Sequence, residues 1–153
     1  LSEILRLDFV DSDHEIEART GANIPWIFDV EGEAGFRLRE EAVIDLLTQR
    51  QQIVLATGGG AIMRESNRQH LRERGTVVYL YTPVSIQLER TARDRNRPLL
   101  QTPDPRQRLT DLMAQRDPLY RETAHIIMPT EGGGARDVAM RIIHALEARE
   151  ALE

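Results

Sequence analysis

Two aspartates two residues apart, Asp11 and Asp13 in "VDSD", are the first groups whose types and spacing suit chemistry. Paired carboxylates at a strand end give hard oxygen donors for magnesium, or acceptors for a hydroxyl-bearing substrate. If the strand continues through them, period-two alternation puts both on one side. The competing use is a helix cap, since a helix begins near His14 and a carboxylate accepts well from its free N–H groups. In "ATGGGAIM", Gly58, Gly59 and Gly60 end an apolar run. Such a cluster either makes a tight turn or brings backbone N–H groups close to a ligand. A triphosphate loop of the GxxxxGK[ST] kind needs a lysine and a hydroxyl. Here Ala61, Ile62 and Met63 follow the glycines, and the chain has no lysine. The glycines therefore suit a neutral, hydroxyl-rich face better than a triphosphate. Arg37 in "GFRLRE" and Arg116 in "QRDPLYRE" can each grip a carboxylate through a forked guanidinium. Read singly, each is equally an ordinary surface arginine. Arg97 in "RNRPLL" lies in a proline-rich stretch, where a mobile arginine can close over a transferring phosphoryl group.

The elements that must hold these groups alternate between strand and helix. Apolar runs predict strands around residues 7–10, 53–56, 76–81 and 125–128. "LSEILRL" has helical spacing, and "HEIEART" starts a helix that breaks near Gly21. "IPWIFDVEGEAGF" reads as a short helix and a turn. "FRLREEAVIDLLTQR" follows with an apolar stripe at 36, 38, 42, 43, 46 and 47. "NRQHLRERG" is a helix closed by Gly75 as a C′ glycine, and "SIQLERTARDR" has Ser85 available as its N-cap. "NRPLLQTPDP" is too rich in proline for either period. "RQRLTDLMAQRDPLY" predicts a helix to about Arg116, and "RDVAMRIIHALEARE" a final amphipathic one. The alternation implies an α/β protein with a parallel sheet covered by helices on both faces. Right-handed crossovers bring the strand C-termini to one edge, where ligands bind. Asp11 and Asp13 follow the first strand, and the glycines follow the second.

A chain of 153 residues predicts one domain, and a 41% hydrophobic, 29% charged composition is that of a globular protein. The absence of cysteine excludes disulfides and thiolate metal sites. A net charge of −5 argues against a nucleic-acid partner. No apolar stretch approaches the length of a membrane span and no secretory leader is visible, so the expectation is a cytoplasmic protein.

Taken in order, "DFVDSD", "GEAGFRLREEAVI", "VLATGGGAI", "RNRPLL" and "RDPLYRETA" resemble the shikimate kinases, from about Leu1 to the C-terminus. The resemblance implies a three-layer P-loop kinase-like fold of the nucleoside-monophosphate-kinase type, with a five-stranded parallel sheet. It implies one domain over 1–153 with a lid loop at 96–105. The implied reaction moves the γ-phosphoryl group of ATP to the 3-hydroxyl of shikimate, with Mg2+, in aromatic amino-acid biosynthesis. Carried over residue by residue, Asp13 binds the acceptor hydroxyls and is the candidate base, and Asp11 holds magnesium through water. Arg37 and Arg116 grip the substrate carboxylate. Backbone at Gly59, flanked by Gly58 and Gly60, meets the ring hydroxyls. Arg97 is the lid arginine that reaches the phosphates, Arg90 lies against adenine, and the loop "TEGGGA" with Glu131 borders it.

One departure from the family pattern is plain. The family begins with a central strand and a GxxxxGK[ST] loop, whereas this chain starts as if inside the following helix. The expectation is that residues 1–153 lack the central strand and phosphate loop and are inactive without them. The expected partners are shikimate and ATP, bound by a monomer. Two alternatives stay open: a related small-molecule kinase such as a gluconate kinase, and a non-catalytic module that keeps only the acceptor pocket.

Overall fold

Helices and strands alternate along the chain in the computed structural model, which describes residues 1–91, 104–131 and 133–152. Their order is α1 (Ser2–Leu5), β1 (Asp8–Asp11), α2 (Ser12–Thr20), α3 (Ile24–Leu47), β2 (Ile53–Ala56), a 3-10 turn (Gly59–Met63) and α4 (Glu65–Arg74). There follow β3 (Val78–Tyr81), α5 (Val84–Thr91), α6 (Pro105–Thr123), β4 (Ile126–Pro129) and α7 (Ala135–Leu152). The four predicted strands are present, each displaced by no more than two residues. They form two parallel pairs, β1–β2 and β3–β4. The five-stranded sheet implied by the resemblance is thus represented, among the described residues, by four strands. No described helix is long and apolar enough to cross a membrane. The chain comprises two compact units, Leu1–Val77 and Val78–Glu153.

In the first unit Asp8 lies opposite Ile53 and Asp11 opposite Ala56. Parallel strands need a long crossover, here α2 and α3. Gly21 ends α2 in the left-handed region (φ 71°), its N–H donating to Glu17 O. Asn23 caps α3, its side chain accepting from Trp26 N at 2.9 Å. Gly32 interrupts α3 at φ 74°, ψ 177°, a backbone region open essentially to glycine alone. The expected short helix, turn and longer helix are therefore all present.

The buried face of the longer segment is Phe36, Glu40, Val43, Ile44 and Leu47. This corrects the stripe read from apolar positions, because Leu38 and Leu46 are 62% and 48% exposed. The face is rotated because a charged residue, Glu40, occupies a core position. Ile16, Ile27, Phe36, Val43 and Leu47 form the centre of the core, with Val10, Ile24, Phe28 and Leu55 packed on it. Each such large side chain contributes about 1.5–3 kcal/mol by leaving water. Arg74 ties α4 to α3 through Asp45 Oδ1 at 2.7 Å. Gly75 after it is extended (φ −166°), so the left-handed cap expected there is absent.

In the second unit β3 and β4 pair from Val78–Ile126 to Tyr81–Pro129. Helix α5 begins at Val84, with the Pro83 carbonyl accepting from Ile86 N and Gln87 N. Ser85 is therefore inside the helix, two residues too late to cap it. Asp104 caps α6, accepting from Gln107 N at 3.1 Å, and Pro105 takes a first-turn position where no N–H is needed. Helix α6 runs through Pro118 to Thr123, well past the end expected near Arg116. Residues 96–103 of the expected lid, Arg97 among them, lie outside the described residues.

Candidate active site

The end of β1 resolves the rivalry between the two aspartates. Asp11 is the N-cap of α2, with Oδ1 accepting from Asp13 N at 2.9 Å and from His14 N at 3.5 Å. Asp13 is not the cap but sits in the first helical turn. The strand stops at Asp11, so strand alternation does not align the two carboxylates; the helix start does. Asp13 is half-buried, and its Oδ1 is shut from solvent with no hydrogen-bond partner among the described residues. Burial, then the neighbouring Asp11 charge, push the Asp13 carboxyl above its ordinary value, with Arg37 pulling the other way. A carboxylate that is partly desolvated and lacks donors is a better proton acceptor than one in water.

The three glycines follow β2. None of Gly58, Gly59 and Gly60 has a positive φ, so the backbone itself does not require glycine. Space does at two of them. A Cβ on Gly58 would lie 3.0 and 3.1 Å from the two oxygens of Asp13. A Cβ on Gly60 would lie 2.6 Å from Cζ of Arg37. The bare backbone thus lets the turn close directly over one carboxylate and one guanidinium, while Gly59 between them is exposed.

Arg37 lies five residues beyond the Gly32 break in α3. Its Nη1 donates to Glu40 Oε1 at 2.8 Å, and its Nη2 lies 3.7 Å from Glu33 Oε1. The guanidinium also stands 5.2 Å from the Phe36 ring centroid. The Arg37 side chain is only 14% exposed and that of Glu40 1%. The turn is also held by α4. Asn67 Nδ2 donates to Ala61 O at 3.0 Å and Arg68 Nη1 to Ile62 O at 2.8 Å. Glu40, Asn67 and Arg68 were missed by sequence reasoning. The only available signal was polar residues at turn-to-helix and i,i+3 spacing, which solvated helix faces share.

In the second unit Arg116 is half-buried on α6 and makes no hydrogen bond or ion pair among the described residues. Its neighbour Asp117 takes a 2.7 Å hydrogen bond from Tyr79 OH on β3 and a 2.8 Å bond from Arg121 Nε. Burial pushes the Asp117 carboxyl up, but these two bonds outweigh it and hold the group below its ordinary value. Burial, followed by the bond to Asp117, raises the Tyr79 phenol. The Tyr120 ring lies 4.7 Å from that of Tyr79, and Arg121 lies over Tyr81. Arg90 lies on α5, its side chain outside the described residues. Glu131 is exposed after β4, and its carbonyl accepts from Arg141.

Asp11, Asp13, Arg37, Gly58 and Gly60 are therefore one cluster, and Arg116 belongs to the other unit. No group of three or more acidic or histidine side chains able to enclose a metal exists among the described residues. Magnesium does not need one, since it commonly takes one or two carboxylates and completes its shell with phosphate and water. The unpartnered Asp13 Oδ1 beside Asp11 fits that mode.

The sequence profile described as Shikimate kinase matches residues 1–147. The shikimate kinase of Halorhodospira halophila is 62% identical over 149 residues, covering 97% of this chain and 84% of that protein. The shikimate kinase of Acinetobacter baylyi is 59% identical over 146 residues, covering 95% and 81%. Among solved structures, shikimate kinase from Acinetobacter baumannii in complex with shikimate superposes with a TM-score of 0.91 at 57% identity, covering 97% of this chain and 83% of that one. The shikimate kinase of Aquifex aeolicus gives 0.85 at 33% identity, covering 97% and 86%. With a profile match over nearly its whole length and relatives this similar, the chain belongs to the shikimate kinase family.

Proposed function

We infer that this chain supplies the acceptor side of an ATP-dependent kinase acting on the 3-hydroxyl of shikimate. The observation that carries this reading is the glycine turn set against both Asp13 and Arg37, so that one wall presents a base, a cation and bare backbone. A hydroxylated ring acid needs those three features together. In the proposed reaction the acceptor oxygen bonds to the γ-phosphorus while the bond from that phosphorus to the β–γ bridging oxygen breaks and ADP departs. The hydroxyl proton passes to the Asp13 carboxylate. Phosphoryl transfer depends mainly on positioning and charge neutralisation. Arg37, fixed by Glu40, and Arg116, half-buried and without a carboxylate partner among the described residues, are the proposed grip on the substrate carboxylate. Gly59, between Gly58 and Gly60, offers backbone to the ring hydroxyls.

On the donor side we assign Arg90 to adenine and Arg97 to the phosphates. The sequence contains no GxxxxGK[ST] loop, so no lysine of this chain cradles them. Bound magnesium would neutralise phosphate charge, held by Asp11 through water and next to Asp13. We take the enzyme to work as a monomer in the cytoplasm, and its net charge of −5 agrees with a small-molecule rather than a nucleic-acid partner.

The test uses the whole natural polypeptide that carries this chain. ADP release is followed with ATP and either shikimate or gluconate, and ATP binding is measured by calorimetry. Shikimate-dependent ADP release is expected. Preference for gluconate would transfer the chain to a related sugar-acid kinase, and shikimate binding without ATP binding would make it a non-catalytic module.

A further inference from the structure

We propose that Asn67 and Arg68, at the start of α4, are positioning residues for the acceptor, setting the height of the glycine turn over Asp13 and Arg37. This rests on the reading of that cluster as the shikimate site. Asn67 is completely buried. Among the described residues its amide makes one hydrogen bond, from Nδ2 to Ala61 O, while its Oδ1 is buried without a partner. Burying an amide half-satisfied is unfavourable, and leucine would fill a similar volume without that cost. What leucine cannot supply is the bond to the turn. Arg68 adds a second one, from Nη1 to Ile62 O, on the next carbonyl along.

The turn needs such support. Short 3-10 segments have poor hydrogen-bond geometry. At its ends the backbone contributes Ala61 N to Gly58 O at 3.1 Å and a long Arg64 N to Ala61 O at 3.4 Å. The clearances it must keep are small. Gly58 and Gly60 approach Asp13 and Arg37 so closely that a single Cβ would not fit comfortably. A shift of well under an ångström would either press the backbone on those side chains or release them. The two α4 side chains hold consecutive carbonyls of the turn, and it is through the turn that they act on substrate.

Asn67→Leu and Arg68→Met test this in the whole natural polypeptide, with four readouts: KM for shikimate, KM for ATP, the thermal midpoint, and amide exchange at Ala61. The expected result for Asn67→Leu is a shikimate KM raised by roughly tenfold or more, the scale of a misplaced substrate contact. ATP KM and the thermal midpoint should stay near wild type, and Ala61 exchange should quicken. Arg68→Met should move the same two quantities in the same direction, and it decides the matter if Asn67→Leu does not fold. A shikimate KM within about twofold of wild type in the folded variants, or an equal rise in both KM values, would overturn the proposal. Calorimetric titration of the unaltered protein with shikimate separates the two levels. If that protein fails to bind shikimate the site reading falls and this inference with it, whereas normal binding with insensitive variants removes this inference alone.

Discussion

The Tyr79 hydroxyl on β3 donates to Asp117 Oδ1 on α6 at 2.7 Å, one residue after Arg116 and one before Pro118. Pro118 lacks the N–H that would continue the helical ladder, so the helix is weakest just where it carries Arg116. The Tyr79 bond, the Tyr79–Tyr120 ring contact and the Arg121 guanidinium over Tyr81 fasten that stretch to the strand, while the Arg121–Asp117 ion pair braces the helix itself. Tyr79→Phe is expected to cost about 1.5–3 kcal/mol, the range for a hydrogen bond to a charged group. Asp117 is held below its ordinary 3.8, so its contribution is present above that pH and is lost as pH falls through the lowered value. The penalty of Tyr79→Phe, read from urea unfolding, should be full at pH 7 and shrink in acid. Equal stability of the two proteins at pH 7 would show that the bond does not fasten the helix.

Gly60→Ala should disturb both the proposed acceptor site and the buried pair behind it. The added methyl meets the tip of a flexible arginine, which can swing aside, not a wall of backbone. Displacing the Arg37 guanidinium is expected to weaken shikimate use by roughly 10²-fold and, by loosening its pair with the buried Glu40, to lower the unfolding midpoint as well. Gly58→Ala presses on Asp13 and should lower turnover more than it raises KM. Wild-type kinetics for Gly60→Ala would mean that Arg37 has no fixed position to lose.

Arg37→Ala and Arg116→Ala should each weaken shikimate binding by about 2–5 kcal/mol, with lysine restoring little because the fork is lost. Their effects on stability should differ. Arg37 is a partner of the buried Glu40, and breaking such a pair costs up to about 3–5 kcal/mol. Arg116 has no partner to strand among the described residues, so its alanine variant should unfold near the wild-type midpoint. A normal shikimate dissociation constant in either variant would remove that arginine from the clamp.

Asp13→Asn should lower turnover by roughly 10²-fold, the scale of general-base catalysis. Its effect on stability has the opposite sign. Asp13 titrates above its ordinary 3.8 in the folded protein, so the fold gains stability from the protonated form at low pH and loses it as pH rises through the raised value. Asparagine removes that loss. The variant should therefore be the more stable protein at pH 7, with the gap closing below about pH 4. Turnover within about twofold of wild type would leave Asp13 without a part in proton transfer.

The parts of the molecule legible from sequence were those written in unbroken runs. "IVLA" and "VYLY" are strands because they are continuous apolar stretches, and the glycines after the first are legible as the end of a strand in a chain without lysine. What stayed hidden depended on partners distant in sequence. Glu40 reads as a surface glutamate until Arg37 is seen to neutralise it, and with it the whole buried stripe of α3 turns. Asp11 and Asp13 are both good caps by type, and only the strand end decides between them. Asn67 looks like any polar residue at a helix start, since its bond runs to a carbonyl six positions earlier in a turn with no sequence period. Helix α6 was cut short at its proline because the rings and carboxylate that sustain it beyond that point lie partly on β3.

A wall made of Gly58 and Gly60 has a consequence for inhibition. An inhibitor shaped to that wall would rest on main chain, which a point mutation cannot trim or recharge. Substitution there can only add atoms, and the first atoms added at either position fall on Asp13 or on Arg37. Resistance arising in this turn would therefore come at the expense of the two groups proposed to hold and deprotonate the acceptor, leaving escape to residues farther out.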